Sequence, residues 1–402
     1  MKIIIHIGPP KTGTSAIQKW LKDNAQFLLS KGIFYPEHRQ DSNGISSGNF
    51  LSIFDASQND YTLNKERLVN ITLQAEKAKC HTLLLSSEFF FSRLSPLADA
   101  LPDAQFIAYV RNPAQLHESH YNQSVKRHGN TAVINRAETL PMHILKRLGE
   151  YGVQLGNKLI LRAYHDDLFV NNDIVCDFLS VLFPEQNIQP QVTSVGRINS
   201  SYTLEALEIK RWFNSYDLGR FGNALDRTLQ AYDNGIKQFT FVGKHQFNDY
   251  KRQSIRWIER LSDQACFEQS DDLLTAIKNQ EHQHFFKQEI TKKQCMLVLN
   301  FIAEQNPGLL RGLALCVYAQ PNVKNKSPFT ESLFELVSPK EAMPNLAQYL
   351  KGCFHKRYGF RLVGSAQTKN EINTSFRECA NYLLQARFSL VAYIKAFVAS
   401  YK

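Results

Sequence analysis

No stretch of this 402-residue chain approaches the roughly 18–20 consecutive apolar residues that a membrane-spanning helix requires. A secretory leader is equally hard to find. The run Ile3-Ile4-Ile5-His6-Ile7 stops at Gly8. That is short of the about 7–15 apolar residues of a signal-peptide core, and no small-residue cleavage site follows. A cytoplasmic protein is therefore expected. Cysteine is sparse too. The seven are an odd number, widely spread and without a Cys-x-x-Cys pair, which argues against a disulfide framework or a zinc ribbon. His282 and His284 have no carboxylate or cysteine at ligand spacing, so no metal is expected. Aspartate is missing altogether from residues 291–402, where 15 Lys and Arg face 6 Glu. That stretch carries +9 of the net +10, and the 290 residues before it are nearly neutral. The split predicts two functionally distinct parts, residues 1–290 and a basic, mainly helical region over 291–402.

What is present is ordinary globular material, 43% hydrophobic and 21% charged. Residues 2–7, 82–86, 105–110 and 158–162 each read as short strands too apolar for a half-exposed sheet. Helical patterns separate them, as at Ile17, Trp20, Leu21 and Leu28, and again around 65–79. Alternating elements of this kind predict an α/β domain built on a parallel sheet flanked by helices. From about 203 the patterns are helical, and 320–328 reads as a linker or long loop.

The first strand runs into Gly8-Pro9-Pro10-Lys11-Thr12-Gly13-Thr14-Ser15. Two glycines five apart let backbone approach an anion, and a helix beginning near Ser15 would offer free N–H groups and a positive dipole end. A nucleoside-triphosphatase loop needs lysine directly after the second glycine. Here that position is Thr14, and the lysine lies earlier, at Lys11. The segment Ile5 to Gln18 closely resembles the 5′-phosphosulfate loop of sulfotransferases that use 3′-phosphoadenosine-5′-phosphosulfate, particularly bacterial carbohydrate-type members. The resemblance implies a P-loop-like fold, with Lys11, Thr12, Gly13, Thr14 and Ser15 holding the donor. Ser15 stands where threonine is commoner in those relatives.

A second motif lies at the end of the third strand. Tyr109-Val110-Arg111-Asn112-Pro113 is followed by Ser119, eight residues after the arginine and about two turns along a helix that Pro113 can open. A forked guanidinium and a hydroxyl suit a terminal phosphate. Sulfotransferases bind the donor's 3′-phosphate with an Arg-x-Pro strand end and a serine eight residues on, so the resemblance assigns that role to Arg111 and Ser119. Weaker likenesses place Tyr164 near the adenine and put Arg197 on a loop over the nucleotide. The resemblance spans roughly residues 1–290 and does not extend into the last hundred or so.

The same resemblance implies the chemistry. Lys11 would neutralise the departing phosphate, and Glu88, after the second buried strand, would be the base, with His6 and His117 as runners-up. Gly44 to Phe50 offers no histidine to an acceptor loop, and Phe89, Phe90, Phe91 and Tyr121 are aromatics that could meet a sugar or pack in the core. The expected reaction is sulfuryl transfer to a hydroxyl, on a carbohydrate by preference. A P-loop kinase and a non-catalytic polyanion binder are the alternatives. The basic region is expected to associate with an anionic membrane or polyanionic glycan. Within it, the apolar positions of residues 380–402 cover more than one face, favouring burial over membrane contact. No nucleic-acid partner is expected, and the oligomeric state is left open.

Overall fold

The computed structural model of the chain describes residues 1–38, 48–57, 60–184, 202–318 and 327–338. Its strands are β1 (Lys2–His6), β2 (Ile33–Phe34), β3 (Phe54–Ala56), β4 (Tyr61–Leu63), β5 (Thr82–Ser86), β6 (Gln105–Arg111) and β7 (Leu159–Tyr164). The helices of the first half are α1 (Thr14–Asp23), α2 (Ala25–Ser30), α3 (Phe50–Ile53), α4 (Lys65–Lys77), α5 (Leu94–Ala100), α6 (Pro113–Arg127), α7 (His143–Leu155) and α8 (Ile174–Leu182). Those that follow are α9 (Leu204–Phe213), α10 (Phe221–Ala231), α11 (Lys244–Gln264), α12 (Ser270–Asn279), α13 (Lys292–Gln305), α14 (Pro307–Tyr318) and α15 (Pro328–Leu336). A short 3₁₀ turn, Glu88–Arg93, follows β5.

Packing divides the chain into two compact units. One comprises Met1–His120, Asn135–Asn199 and Val242–Phe285, and the other Tyr121–Ile134, Ser200–Phe241 and Phe286–Lys402. The first is an α/β unit with a five-stranded parallel sheet in the order β2-β5-β1-β6-β7. Side-chain alternation explains why its strands are apolar throughout. Ile5, Leu83, Leu85, Phe106, Ala108 and Leu161 face one layer, with Leu68, Leu94, Leu148, Ile258 and Leu273 from α4, α5, α7, α11 and α12. Ile4, Leu84, Ile107 and Tyr109 face the other, under Ile17 and Trp20 of α1 and Phe178 of α8. Fully burying each of the Leu, Ile and Phe side chains contributes about 1.5–3 kcal/mol relative to leaving it in water. Asp177 of α8, wholly buried, accepts from Tyr109 at 2.8 Å and from Arg162 Nε at 3.1 Å. The buried carboxylate is thus paired and pins α8 to the sheet.

The second unit, as far as described, is helical. The boundary expected at 290/291 follows charge, whereas packing draws the division elsewhere. Leu207, Phe213 and Leu225 of α9 and α10 share one core with Val298, Leu313 and Leu333 of α13, α14 and α15. Two of these helices open with capping boxes, Thr291 with Gln294 and Ser327 with Thr330. Inside the unit Glu208 is buried against Arg211, and Gln288 bridges it to the Tyr121 hydroxyl. Among the described residues no helix is long and apolar enough to cross a membrane. The expected linker at 320–328 and the segment 380–402 lie wholly or largely outside them.

Candidate functional site

β1 is the centre of the sheet, with β5 on one side and β6 on the other. The chain leaves β1 toward β2 on one flank and later crosses to β6 and β7 on the other. The C-terminal ends of β1, β5 and β6 therefore meet at the position where open α/β sheets place ligands.

The loop after β1 is built tightly. Lys11 and Gly13 both have positive φ, 67° and 79°. A Cβ on Gly8 would lie 2.1 Å from the Thr14 hydroxyl, so only glycine fits under that side chain. A Cβ on Gly13 would meet Ile174 Cδ1 at 2.2 Å. The Thr12 hydroxyl donates to the Pro9 carbonyl at 2.6 Å, closing the loop on itself rather than facing outward. α1 then starts at Thr14, with no side chain capping it. Its first amides are left for another acceptor. The Thr14 hydroxyl is buried without a hydrogen-bond partner, and Ser15 is exposed one residue on.

Arg111 closes the loop from β6. Its Nη1 donates to the Lys11 carbonyl at 2.9 Å and to Ser119 Oγ at 3.4 Å. The strand register sets Arg111 opposite Tyr164, and the guanidinium carbon lies 5.0 Å from that ring's centroid. Tyr164 also borders the loop, 3.1 Å from where a Gly13 Cβ would be. No carboxylate lies within ion-pair distance of Arg111 among the described residues, and its Nε is buried without a partner. Burial lowers the guanidinium pKa, against the pull of Tyr164 and Asp166. A desolvated cation with an unused donor favours an incoming anion.

β5 presents the candidate base. Ser87 caps the 3₁₀ turn by accepting the Phe89 amide at 3.1 Å, and Glu88 is the turn's first residue. Glu88 is open to solvent by area but crowded by protein. That desolvation raises its carboxyl pKa, while the charge of Lys11 pulls it back down. The Lys11 charge therefore acts on the Glu88 carboxyl.

The histidines separate into different roles. His6 is wholly buried, with Nδ1 2.9 Å from the hydroxyl of Ser86, its register partner. Burial pushes its pKa down to about 3, so it is a neutral support beneath the loop. His117 donates from Nε2 to the Asn135 carbonyl at 2.9 Å. His120, absent from the sequence reading, is half-buried. Burial first, then the charges of Lys11, His143, Arg111 and His117, holds its pKa below the usual imidazole value. Its signal was the His117–His120 spacing of three on one helix face.

Asn49 was also missed. Wholly buried, it accepts the Ser86 amide at 2.9 Å and donates to the Pro36 carbonyl at 2.5 Å, while its own amide bonds Ser86 O at 3.1 Å. It clamps the end of β5 from which Glu88 emerges. Gly48 makes this possible, because a Cβ there would sit 1.9 Å from the Ser86 oxygen. Arg197 lies outside the described residues. Lys11, Thr12, Gly13, Thr14, Ser15, Arg111, Ser119 and Tyr164 are gathered around one loop, and the Lys11 charge reaches Glu88. Among the described residues no group of three His, Cys, Asp or Glu could hold a metal ion. Compared with protein-family models, with curated proteins and with solved structures, the chain matches none.

Proposed function

We propose that this protein is a sulfotransferase with a P-loop-like donor site, moving a sulfuryl group from 3′-phosphoadenosine-5′-phosphosulfate to a hydroxyl, on a carbohydrate by preference. The observation that carries the reading is Arg111, a half-buried cation with no carboxylate in ion-pair contact among the described residues. It spends one nitrogen on the Lys11 carbonyl and keeps another unbonded. An anion-binding arginine is thereby fused to an anion-binding loop. The residues fit the donor on structural grounds: the uncapped start of α1 and the unpartnered Thr14 hydroxyl suit its 5′ end, and Arg111 with Ser119 suits its 3′-phosphate.

The bound donor supplies an activated sulfur whose leaving group is a phosphate. Glu88 takes the proton of the acceptor hydroxyl, and its raised pKa makes it a better base than an ordinary surface carboxylate. As the acceptor oxygen bonds to sulfur, the sulfur–oxygen bond to the phosphate breaks and its electron pair leaves with the bisphosphate product. Lys11 neutralises that growing charge. Arg111 and Tyr164 orient the donor end distant from the reaction.

A magnesium-nucleotide kinase fits less well, since Thr14 and not lysine follows Gly13. A polyanion binder would leave Arg111, bonded to the carbonyl of the loop, unexplained. The cytoplasm as compartment, and an anionic membrane or glycan as partner of the basic region, belong to the same proposal. Thermal unfolding with nucleotides tests it. Adenosine 3′,5′-bisphosphate without magnesium should raise Tm, by about 2.7 kcal/mol of added stability at a hundred times Kd. A rise with magnesium-ATP alone would favour the kinase.

A further inference from the structure

Next to Glu88 the surface bears a pair of rings that the donor site does not use. Phe50 is buried and stacks on Phe54, with centroids 4.4 Å apart and planes at 8°. Two exposed rings lean on it, Tyr61 at 5.0 Å and Phe89 at 5.4 Å. Tyr61 is 38% exposed and Phe89 40%, and their centroids are 6.4 Å apart. Single exposed aromatics are common on protein surfaces and need no explanation. Two held side by side over a buried third form a shaped surface.

The polar framework holds that pair in place. Asp60 ion-pairs with Arg93, at the far end of the 3₁₀ turn that carries Phe89, and accepts the Tyr61 amide at 2.8 Å. Asp55, on the other strand of the β3–β4 hairpin, pairs with Arg67 at 2.9 Å and accepts from Asn64 at 2.7 Å. The rings are thus ordered before any ligand arrives, which removes part of the entropy cost of binding. Glu88 directly precedes Phe89 in the chain, while the carboxylate of Asp60, which precedes Tyr61, is already paired with Arg93. Aromatic faces take the C–H face of a sugar ring, and carboxylates accept hydrogen bonds from its hydroxyls. A purely apolar ligand would offer Glu88 no hydroxyl.

We propose that Tyr61 and Phe89 form an acceptor platform that binds the C–H face of a pyranose unit and delivers a neighbouring hydroxyl to Glu88. The platform deepens the sulfuryl-transfer reading and rests on it for its catalytic meaning, but sugar binding can be measured without donor.

The experiment uses the full chain and four soluble probes: cellotetraose, chitotetraose, maltotetraose and xylotetraose. Saturation-transfer NMR should show at least one of them bound through its ring C–H protons. A Tyr61→Ala, Phe89→Ala double variant should bind it about tenfold or more weakly, and Tyr61→Phe should retain binding because the ring remains. Adenosine 3′,5′-bisphosphate, titrated by calorimetry into the same samples, should bind wild type and double variant alike, which also shows that the variant is folded. No binding of any tetrasaccharide to wild type would overturn the proposal, as would equal binding by the double variant. So would self-association that the double variant abolishes, since the pair would then be an interface between copies of the chain. Sugar binding that depends on both rings, in a protein that ignores the bisphosphate, would keep the platform and remove the sulfotransferase reading.

Discussion

The Arg111 side chain holds the Lys11 backbone: its Nη1 donates to the lysine carbonyl at 2.9 Å, and Lys11 adopts a left-handed conformation with φ of 67°. One residue thus has two tasks, shaping the loop and presenting a cation. Ser119, whose hydroxyl meets only Arg111 among the described residues, has one. Ser119→Ala should weaken adenosine 3′,5′-bisphosphate relative to adenosine 5′-phosphate, by about 0.5–1.5 kcal/mol for a lost hydrogen bond. Arg111→Ala should weaken both nucleotides, because the loop relaxes as well. Calorimetric titration of the two ligands decides it. Equal behaviour of the two variants would count against the bracing role.

Lys11→Gly separates chemistry from conformation. Glycine adopts positive φ freely, whereas other residues pay roughly 1–2 kcal/mol for it. Lys11→Gly should therefore fold at least as stably as Lys11→Ala. Both should lose about 2.7–4 kcal/mol of transition-state stabilisation if the ammonium meets the leaving group. Denaturant unfolding and single-turnover rates are the measurements, and near-normal turnover in either variant would refute the assignment.

Glu88→Gln should lower kcat by roughly 10²–10⁴ with bisphosphate affinity nearly unchanged. Its pKa is raised by crowding. A carboxyl with a raised folded pKa favours the folded state most at low pH, and that contribution is lost as pH rises through the folded pKa. At pH 7 the glutamine variant should accordingly melt no lower than wild type. A variant that melts lower there, yet keeps its activity, would show that Glu88 is structural.

His6 gives a pH signature of the opposite sign. Its pKa falls from 6.5 to about 3 on burial, so the unfolded chain binds the extra proton between those values. The stability is complete above pH 6.5 and is lost as pH falls toward 3, at up to about 1.4 kcal/mol per pH unit. His6→Gln removes this titration, so the Tm of wild type should fall more steeply than that of the variant between pH 6.5 and 4. Parallel curves would mean that His6 is not buried neutral.

The basic region can be cut only beyond the described helices. Leu333 of α15 is wholly buried, so a cut near residue 331 would open the second unit. Residues 339–402 still carry 10 Lys and Arg against 3 Glu. Deletion after Ser338 should leave bisphosphate binding intact and abolish salt-sensitive association with vesicles containing acidic lipid or with an acidic polysaccharide. Association that survives the deletion would place the contact elsewhere on the chain.

The strands and the loop were legible because their signals are local. Ile3 to Ile7 must be buried on both faces, and Gly8 to Ser15 spell out a turn that backbone alone can read. The arginine–serine pair was legible through helical spacing. Register was not. Nothing near Arg111 says that Tyr164 stands opposite it, and nothing near Ser86 says that Asn49 will clamp it from 37 residues away. The interleaving of α9 and α10 with α13–α15 was hidden for the same reason. Helical periodicity tells which face is apolar but not which partner covers it.

The bond between Arg111 and Lys11 joins residues 100 apart in the chain, and that between His6 and Ser86 joins residues 80 apart. During synthesis from the N-terminus, the loop leaves the ribosome long before the arginine that braces it has been made. At about 5–20 residues per second, the interval lasts several seconds. Until β6 is added beside β1, the nascent chain holds a glycine-rich segment with no partner to set the lysine's backbone. The loop's final shape therefore marks the completion of a long-range pairing, and it is reached only after β6 has left the ribosome.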